Sequence, residues 1–186
     1  MKRTTQKLVG SALLAALSVV LARLFGMMPE ASARFSIEAV PMFLAGLLYG
    51  PVYGALVGFV ADFVGCLFSP FGYNPIFCLP PILYGLCAGL FRPLLHRGMA
   101  VWKIAVAFLP SVLFGSILWQ SLALAMTYGK GDTLWESYTI FLTSRSIQFA
   151  VTYVIDVVLV AILCRTNVFY RLGYLPKWRK KDAQNR

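Results

Sequence analysis

Apolar runs separated by short polar or glycine- and proline-containing segments extend over most of the chain. A helix needs about 20 residues to cross the ~30 Å hydrocarbon core of a bilayer. The second and third runs are shorter and meet at Gly50-Pro51, so we expect tilted, kinked or partly interfacial helices there. The pattern predicts one all-α integral membrane domain over residues 1–186, with six transmembrane helices at about 8–25, 35–50, 52–68, 78–95, 102–128 and 139–164.

The composition excludes an ordinary water-soluble domain. Hydrophobic residues make up 59% of the sequence and charged residues only 13%, which leaves too little polar surface to face water on all sides. The N-terminal run follows a short basic segment and therefore resembles a secretory signal. Its length, and the apolar runs that follow it, favour a retained first helix instead.

Lysine and arginine residues lie mostly in the segments that the six predicted helices place on one side of the membrane. They cluster at the N-terminus, between the fourth and fifth helices and in the tail 165–186, whereas the opposite loops carry few. By the positive-inside rule, both termini are cytoplasmic and the chain is a multi-pass cell-membrane protein. The net charge of +10 is thus a topology signal, and no nucleic-acid-binding motif accompanies it. We expect the tail to lie along the inner leaflet of the bilayer.

The last apolar run contains the clearest polar pattern. Arg145, Gln148, Thr152 and Asp156 are spaced by three, four and four residues, which places them on one helical face. A partly buried guanidinium suits a carboxylate, because it can donate two parallel hydrogen bonds. The alternatives for Arg145 are an internal ion pair with Asp62 or an extended side chain that reaches the outer headgroups.

Further polar and aromatic residues complete a candidate ligand site. Trp119 could stack on a flat heterocycle while Gln120 bonds to its edge, although ordinary helix packing also explains the indole. Asp62 could accept hydrogen bonds from an amino-pyrimidine-like edge or serve helix packing, and Arg34 could attract an anion or anchor the interface. The predicted substrate-binding residues are Arg34, Asp62, Tyr73, Asn74, Trp119, Gln120, Arg145 and Gln148.

Small residues recur at four-residue spacing in several of the apolar runs. The glycine pairs in the second to fourth runs indicate close helix packing. In the first run, which is otherwise mostly aliphatic, Ala12 and Ala16 could form a smooth docking surface for another membrane protein or pack within the bundle.

Chemical motifs are missing from the sequence. It contains no GxxxxGK[ST], GxSxG, HExxH or CxxC pattern, and it has a single histidine, His96, in a predicted cytoplasmic loop. We therefore expect no catalytic residues, no metal site and no cofactor. The chain also does not carry an ATP-binding motif of its own.

One family shares the most specific segments of this chain. The segments are the run ARFSIEAVPMFLAGLLYGPVYGALVGFVADFVG, the loop SPFGYNPIF, the stretch LYGLCAGLFRP and the alanine pair of the first helix. In them the chain resembles a substrate-binding S component of an energy-coupling factor (ECF) vitamin transporter, most closely of the folate family. The resemblance implies six helices and one vitamin bound at the outer side, under loop 1 (Gly26–Ser36) and loop 3 (Ser69–Ile76). It also implies docking through Ala12 and Ala16 onto a transmembrane T component driven by two cytoplasmic ATPases.

These observations predict a membrane-embedded subunit that binds folate with high affinity and is not an enzyme. A second possibility is an S component for another vitamin, another pterin or a queuosine precursor. A small membrane enzyme that acts on lipid through Asp62, Arg145 and Asp156 is a less favoured alternative, since these charged groups are scattered over different helices. A channel-like or structural subunit is disfavoured because the polar residues cluster in the outer half.

Overall fold

The computed structural model describes residues 2–26, 37–68, 73–96, 99–129, 133–166 and 169. The regular elements within these ranges are helices. The α-helices are α1 (Lys2–Gly26), α2 (Ala39–Tyr49), α3 (Pro51–Leu67), α4 (Leu79–Leu90), α5 (Arg92–His96), α6 (Val101–Pro110), α7 (Gln120–Tyr128) and α8 (Leu134–Arg165). A 3-10 helix, Pro75–Cys78, precedes α4, and a π-helix, Ser111–Trp119, connects α6 to α7.

Three helical segments are long and apolar enough to cross a membrane. They are Thr4–Arg23, Val101–Tyr128 and Leu134–Arg165. Three shorter apolar helical segments accompany them, namely Ala39–Tyr49, Pro51–Leu67 and Pro75–Leu90. The predicted apolar runs are therefore helical wherever the structure describes them, and the described part of the chain has the all-helical character that the sequence predicts.

The joint between α2 and α3 is a sharp reversal at Gly50-Pro51. Gly50 has a φ of +105°, in a region that side-chain-bearing residues rarely adopt. Pro51 begins α3, where its missing N–H is not needed. Helix α2 has 11 residues and α3 has 17, so α3 extends about 9 Å beyond the start of α2. We call the end of the bundle opposite this joint the far end.

Glycines allow α2, α3 and α4 to pack backbone against backbone. A Cβ atom added to Gly46 or to Gly54 would collide with the carbonyl oxygen of Gly85. A Cβ atom on Gly58 would collide with the Pro81 carbonyl group in the same way. Close helix packing, which the glycine spacing predicts, thus has a direct structural basis.

Helix α2 is the centre of the bundle. Ten of its residues, from Ala39 to Leu48, are buried, because α1, α3, α4 and α8 all pack against it. The Phe43 ring stacks on Phe108 of α6 with 4.0 Å between ring centroids. A short, fully buried helix at the centre leaves the surrounding helices to bear the polar groups at the far end.

The long helical segment Val101–Tyr128 is not a uniform α-helix. Pro110 closes α6, and the next nine residues form the π-helix. Proline has no N–H to donate and its ring crowds the preceding turn, which disturbs the α-helical hydrogen bonds. π-Helical turns are rare and occur frequently at functional sites. The sequence pattern alone predicts an uninterrupted α-helix here.

This departure changes which side chains share a face. The sequence predicts Ser116, Trp119, Gln120 and Thr127 on roughly one face of the fifth helix. In the structure Ser116 is buried, Trp119 is 38% exposed and Gln120 is partly buried. The Thr127 hydroxyl donates to the Ala123 carbonyl oxygen on its own helix. Ser116 and Trp119 lie in the π-helix, whose hydrogen bonds join residues five apart, so the α-helical spacing behind the prediction does not apply there.

Candidate functional site

Polar groups gather where α3 extends beyond α2. Asp62 lies level with the start of α2, since it is the twelfth residue after the Gly50 joint. Its Oδ2 atom is buried and has no hydrogen-bond partner. Gly65 and Cys66 follow on the same face of α3, one turn further towards the far end. A buried carboxylate oxygen without a partner is costly, so this position favours a ligand group that donates a hydrogen bond to Oδ2.

The thiol of Cys78 connects Asp62 with the polypeptide segment before α4. It lies within hydrogen-bonding reach of the Asp62 carboxyl group and of the Tyr73 hydroxyl group. The Tyr73 ring packs edge-on against Phe63 with 5.2 Å between centroids, and 38% of its surface is exposed. Tyr73 is therefore next to Asp62 in space, as a shared site requires. Cys78 is a member of this group that the sequence does not reveal.

The 3-10 helix Pro75–Cys78 links α3 with the long helix Val101–Tyr128. The Oδ1 atom of Asn74 accepts a hydrogen bond from the Ile76 N–H (3.1 Å) and so caps this helix. The indole N–H of Trp119 donates to the carbonyl oxygen of Ile76 (2.8 Å). Asn74 thus has a structural task, while the aromatic face of Trp119 is still available for stacking. Asp62, Tyr73, Asn74 and Trp119 are brought together through one short segment.

A second charged group, Arg23 of α1, lies against the same face of α3. Its guanidinium nitrogen Nη2 is 3.8 Å from the position a Cβ atom would take on Gly65. Its Nε atom is buried and has no hydrogen-bond partner. Arg23 is absent from the predicted site. The sequence does contain a signal for Arg23, because it is a single charged residue inside the first apolar run. Membrane helices rarely tolerate a charged residue in such a position.

A buried polar pair lies deeper, between α4 and the π-helix. The hydroxyl groups of Tyr84 and Ser116 are 2.7 Å apart and hydrogen-bonded. Asp156 of α8, only 1% exposed, lies near Tyr84, and its Oδ1 atom has no partner. Thr152, one turn along α8, donates its hydroxyl to the Gln148 carbonyl oxygen. These contacts join α8 to the centre of the bundle.

The remaining predicted ligand residues lie on other elements. Arg145 of α8 is partly buried and its guanidinium lies 5.8 Å from the centroid of the Phe149 ring. Gln148 is one turn further along α8, which packs against α7 and the π-helix. Gln120 follows Trp119 directly as the first residue of α7. Arg34 lies outside the described residues.

The alanine pair of α1 faces away from the bundle. Ala12 and Ala16 are exposed, whereas Ser11, Ala15 and Ser18 on the opposite face are buried. The Ser18 hydroxyl donates a 2.7 Å hydrogen bond to the Glu38 carbonyl oxygen at the start of α2. Among the described residues, α1 therefore packs on the bundle through its serine side, while the alanine side is exposed.

Three of the described helical segments have the length and composition to span a membrane, and several polar side chains gather where α3 extends beyond α2, so the chain has the features of a helical membrane protein. The chain matches the family model of the ECF transporter substrate-specific component over residues 6–181. The chain therefore belongs to the substrate-specific components of ECF transporters. Among the described residues, no three His, Cys, Asp or Glu side chains lie close enough to hold a metal ion.

The chain is similar to known proteins in both sequence and structure. The crystal structure of FolT bound with folic acid superposes with a TM-score of 0.71 at 27% identity, covering 86% of this chain and 92% of that one. The folate transporter FolT of Leuconostoc mesenteroides is 28% identical over 159 residues, 84% of this chain and 83% of that protein. An uncharacterised Mycoplasma pneumoniae protein is 28% identical over 137 residues, 70% of this chain, and this chain spans only 46% of its length. A second uncharacterised Mycoplasma pneumoniae protein is 26% identical over 127 residues, 62% of this chain. This chain spans only 26% of the length of that protein.

Proposed function

We propose that this chain is the folate-binding subunit of an ATP-driven ECF importer. It is a multi-pass protein of the cell membrane with six transmembrane helices and both termini in the cytoplasm. The far end of the bundle then faces the outside, where the vitamin enters. The observation that carries the proposal is the likeness to FolT bound with folic acid, which extends over 92% of that chain.

The far end has the chemistry that a pterin ring needs. Asp62 offers a carboxylate oxygen without a partner, which suits the amino group of the heterocycle. The exposed aromatic face of Trp119 suits the flat ring, since base-like rings stack well on indole. Tyr73 lies at the margin of this group. Gln120 and the amide of Asn74 add hydrogen-bonding capacity.

The glutamate part of folate carries carboxylates and needs cations. Arg145 supplies a cation on the part of α8 that lies towards the far end of the bundle. Gln148, one turn along the same helix, adds a hydrogen-bond donor. Arg34 completes the set by its position in the sequence, where loop 1 enters the second apolar run. Guanidinium groups bind carboxylates through two parallel hydrogen bonds, which makes them the fitting side chains for this end of the ligand.

Transport requires partners, because the chain contains no ATP-binding motif. The exposed faces of Ala12 and Ala16 support docking onto a transmembrane T component, since small residues let two helices approach closely. Two cytoplasmic ATPase subunits would act through that T component. The chain itself captures the vitamin and catalyses no reaction.

Uptake of radiolabelled folic acid tests this proposal. Cells without folate uptake of their own would express the chain either alone or together with a T component and two ATPases. We expect ATP-dependent accumulation only with the complete set, and surface binding without accumulation for the chain alone. Accumulation of riboflavin, thiamine or biotin in place of folic acid would keep the architecture and correct the ligand. Binding of none of these vitamins would contradict the proposal.

A further inference from the structure

Arg23 of α1 and Asp62 of α3 carry opposite charges, and each has a buried atom without a hydrogen-bond partner. The Nε atom of Arg23 and the Oδ2 atom of Asp62 are both inaccessible to solvent and make no hydrogen bond. Both side chains are close enough to Cys66 to act on it electrostatically. In an apolar environment, such groups are retained where a ligand or water compensates them. The pair is therefore a site prepared for a polar ligand.

The spacing along α3 sets the relative heights of the two groups. Arg23 packs over Gly65, which is three residues beyond Asp62 on the same face. Three residues correspond to a rise of about 4.5 Å. A carboxylate, which only accepts hydrogen bonds, thus lies one turn below a guanidinium, which only donates them. A ligand edge that fits both side chains must present hydrogen-bond donors to Asp62 and, beside them, hydrogen-bond acceptors to Arg23.

The edge of a 2-amino-4-oxo-pteridine has this order. Its 2-amino group and N3–H are adjacent donors, and its 4-oxo oxygen and N5 are adjacent acceptors. We propose that Asp62 accepts hydrogen bonds from the donor half of this edge and that Arg23 donates to the acceptor half. The inference rests on the proposed folate function and adds Arg23 as a specificity-determining residue. The ligand then supplies the partners that each buried atom lacks.

Discrimination at position 4 of the ring follows from this arrangement. In aminopterin, the 4-amino analogue of folic acid, the 4-oxo acceptor is replaced by a donor, and N3 no longer carries a hydrogen. The Arg23 guanidinium cannot accept a hydrogen bond, so two donors would face each other. Hydrogen bonds to charged groups are among the stronger ones, and their loss corresponds to a weakening of about 10- to 100-fold. We expect the wild-type chain to prefer folic acid over aminopterin by about this factor.

Binding of both ligands to the full-length, detergent-solubilised chain tests the inference. In Arg23→Gln we expect weaker folic acid binding and a smaller preference over aminopterin, because the glutamine amide can either donate or accept. Asp62→Asn should weaken folic acid more than aminopterin, since folic acid presents both the 2-amino group and N3–H to the carboxylate and aminopterin only the 2-amino group. The control Arg165→Gln removes a cation that is exposed at the opposite end of α8 and should change neither affinity.

The ratio of the affinities for folic acid and aminopterin shows whether Arg23 contacts the ligand or has only a structural role. A folded Arg23→Gln chain that keeps both its folic acid affinity and its preference would overturn the inference while leaving the folate function in place. A wild-type chain that binds neither ligand would overturn both. If Arg23→Gln does not fold, Arg23→Lys decides the matter. Lysine keeps the donor and should retain the preference at lower affinity, so an Arg23→Lys chain that treats the two ligands alike would also overturn it.

Discussion

The indole N–H of Trp119 donates a 2.8 Å hydrogen bond to the carbonyl oxygen of Ile76, 43 positions earlier in the chain. This bond fastens the 3-10 helix Pro75–Cys78 to the end of the π-helix. At the other end of the same 3-10 helix, the Cys78 thiol contacts Asp62 of α3. The short segment therefore links Trp119 of the long helix with Asp62 of α3.

Trp119→Phe should weaken ligand binding mainly by speeding ligand release. Phenylalanine keeps an aromatic face but loses the N–H, so the Ile76 carbonyl oxygen loses its partner and the 3-10 helix is held less firmly. The loss of one such bond corresponds to about a 2- to 10-fold weaker affinity. Stopped-flow fluorescence after dilution or competition would measure the release rate.

Trp102→Phe provides the matched control for this change. Trp102 lies at the start of the same long helix and is 60% exposed, and nothing connects it to the 3-10 helix among the described contacts. We expect its substitution to leave the release rate unchanged. Equal effects of the two substitutions would show that the Trp119–Ile76 bond does not matter for binding.

The Tyr84–Ser116 hydrogen bond should contribute to stability rather than to ligand selectivity. Tyr84→Phe removes one hydroxyl and leaves the buried Ser116 hydroxyl without its 2.7 Å partner. The expected cost is about 1–3 kcal/mol in the free energy of unfolding. The double variant with Ser116→Ala should lose less than the sum of the two single losses. Thermal unfolding in detergent would measure this, and strictly additive losses would argue against the coupling.

Substitution of both Ala12 and Ala16 by Trp should abolish uptake while leaving vitamin binding intact. Both positions are exposed on α1, so bulky side chains there would obstruct a docking partner without disturbing the bundle. Ligand titration and uptake would be compared on the same variant. Val158→Trp, at an exposed position of α8, is the control and should change neither. Loss of binding in the double variant would mean that this face of α1 belongs to the core.

Protonation of His96 should reduce stability in mildly acidic solution. Burial, aided by the nearby Arg92 guanidinium, lowers the pKa of His96 below its ordinary value of 6.5. The Nε2 atom accepts a 2.9 Å hydrogen bond from Arg92 Nε, which requires the neutral ring. Below pH 6.5 the unfolded chain takes up a proton that the folded chain resists. The free energy of unfolding should therefore decrease as the pH falls through this range, and should not change on this account above it.

His96→Gln tests this pH dependence, because His96 is the single histidine of the sequence. Glutamine keeps an acceptor for Arg92 but does not titrate. Thermal unfolding between about pH 5.5 and 7.5 should show a smaller decrease in stability for the variant than for the wild type. Identical pH profiles would show that His96 has the same pKa in the folded and unfolded chain.

The sequence predicts much of the fold because the relevant patterns are local. Runs of apolar residues determine where helices form in a membrane protein, and Gly50-Pro51 is a local signal for a reversal. The outward position of Ala12 and Ala16 agrees with a helix whose opposite face carries Ser11 and Ser18. Asp62 is recognisable as a single carboxylate within an apolar run.

Other features depend on contacts that no local pattern contains. The π-helix follows a proline that a hydropathy pattern treats as one more residue of a long apolar helix. The bond between Trp119 and Ile76 joins residues far apart in the chain. Arg23 resembles an ordinary residue near the end of a transmembrane helix, and its importance emerges only when α1 is seen to place it over Gly65. These long-range contacts are what assemble the site.

Equilibrium titration of the purified, detergent-solubilised chain with folic acid tests the central claim most directly. Riboflavin, thiamine and biotin would be run alongside, with tryptophan fluorescence or heat as the signal, and with Asp62→Asn beside the wild type. We predict tight one-to-one binding of folic acid alone, weakened about 10-fold or more in the variant, since a charged hydrogen-bond acceptor is lost. Absence of folic acid binding, or the same affinity in a folded Asp62→Asn chain, would contradict the site described at the far end of α3.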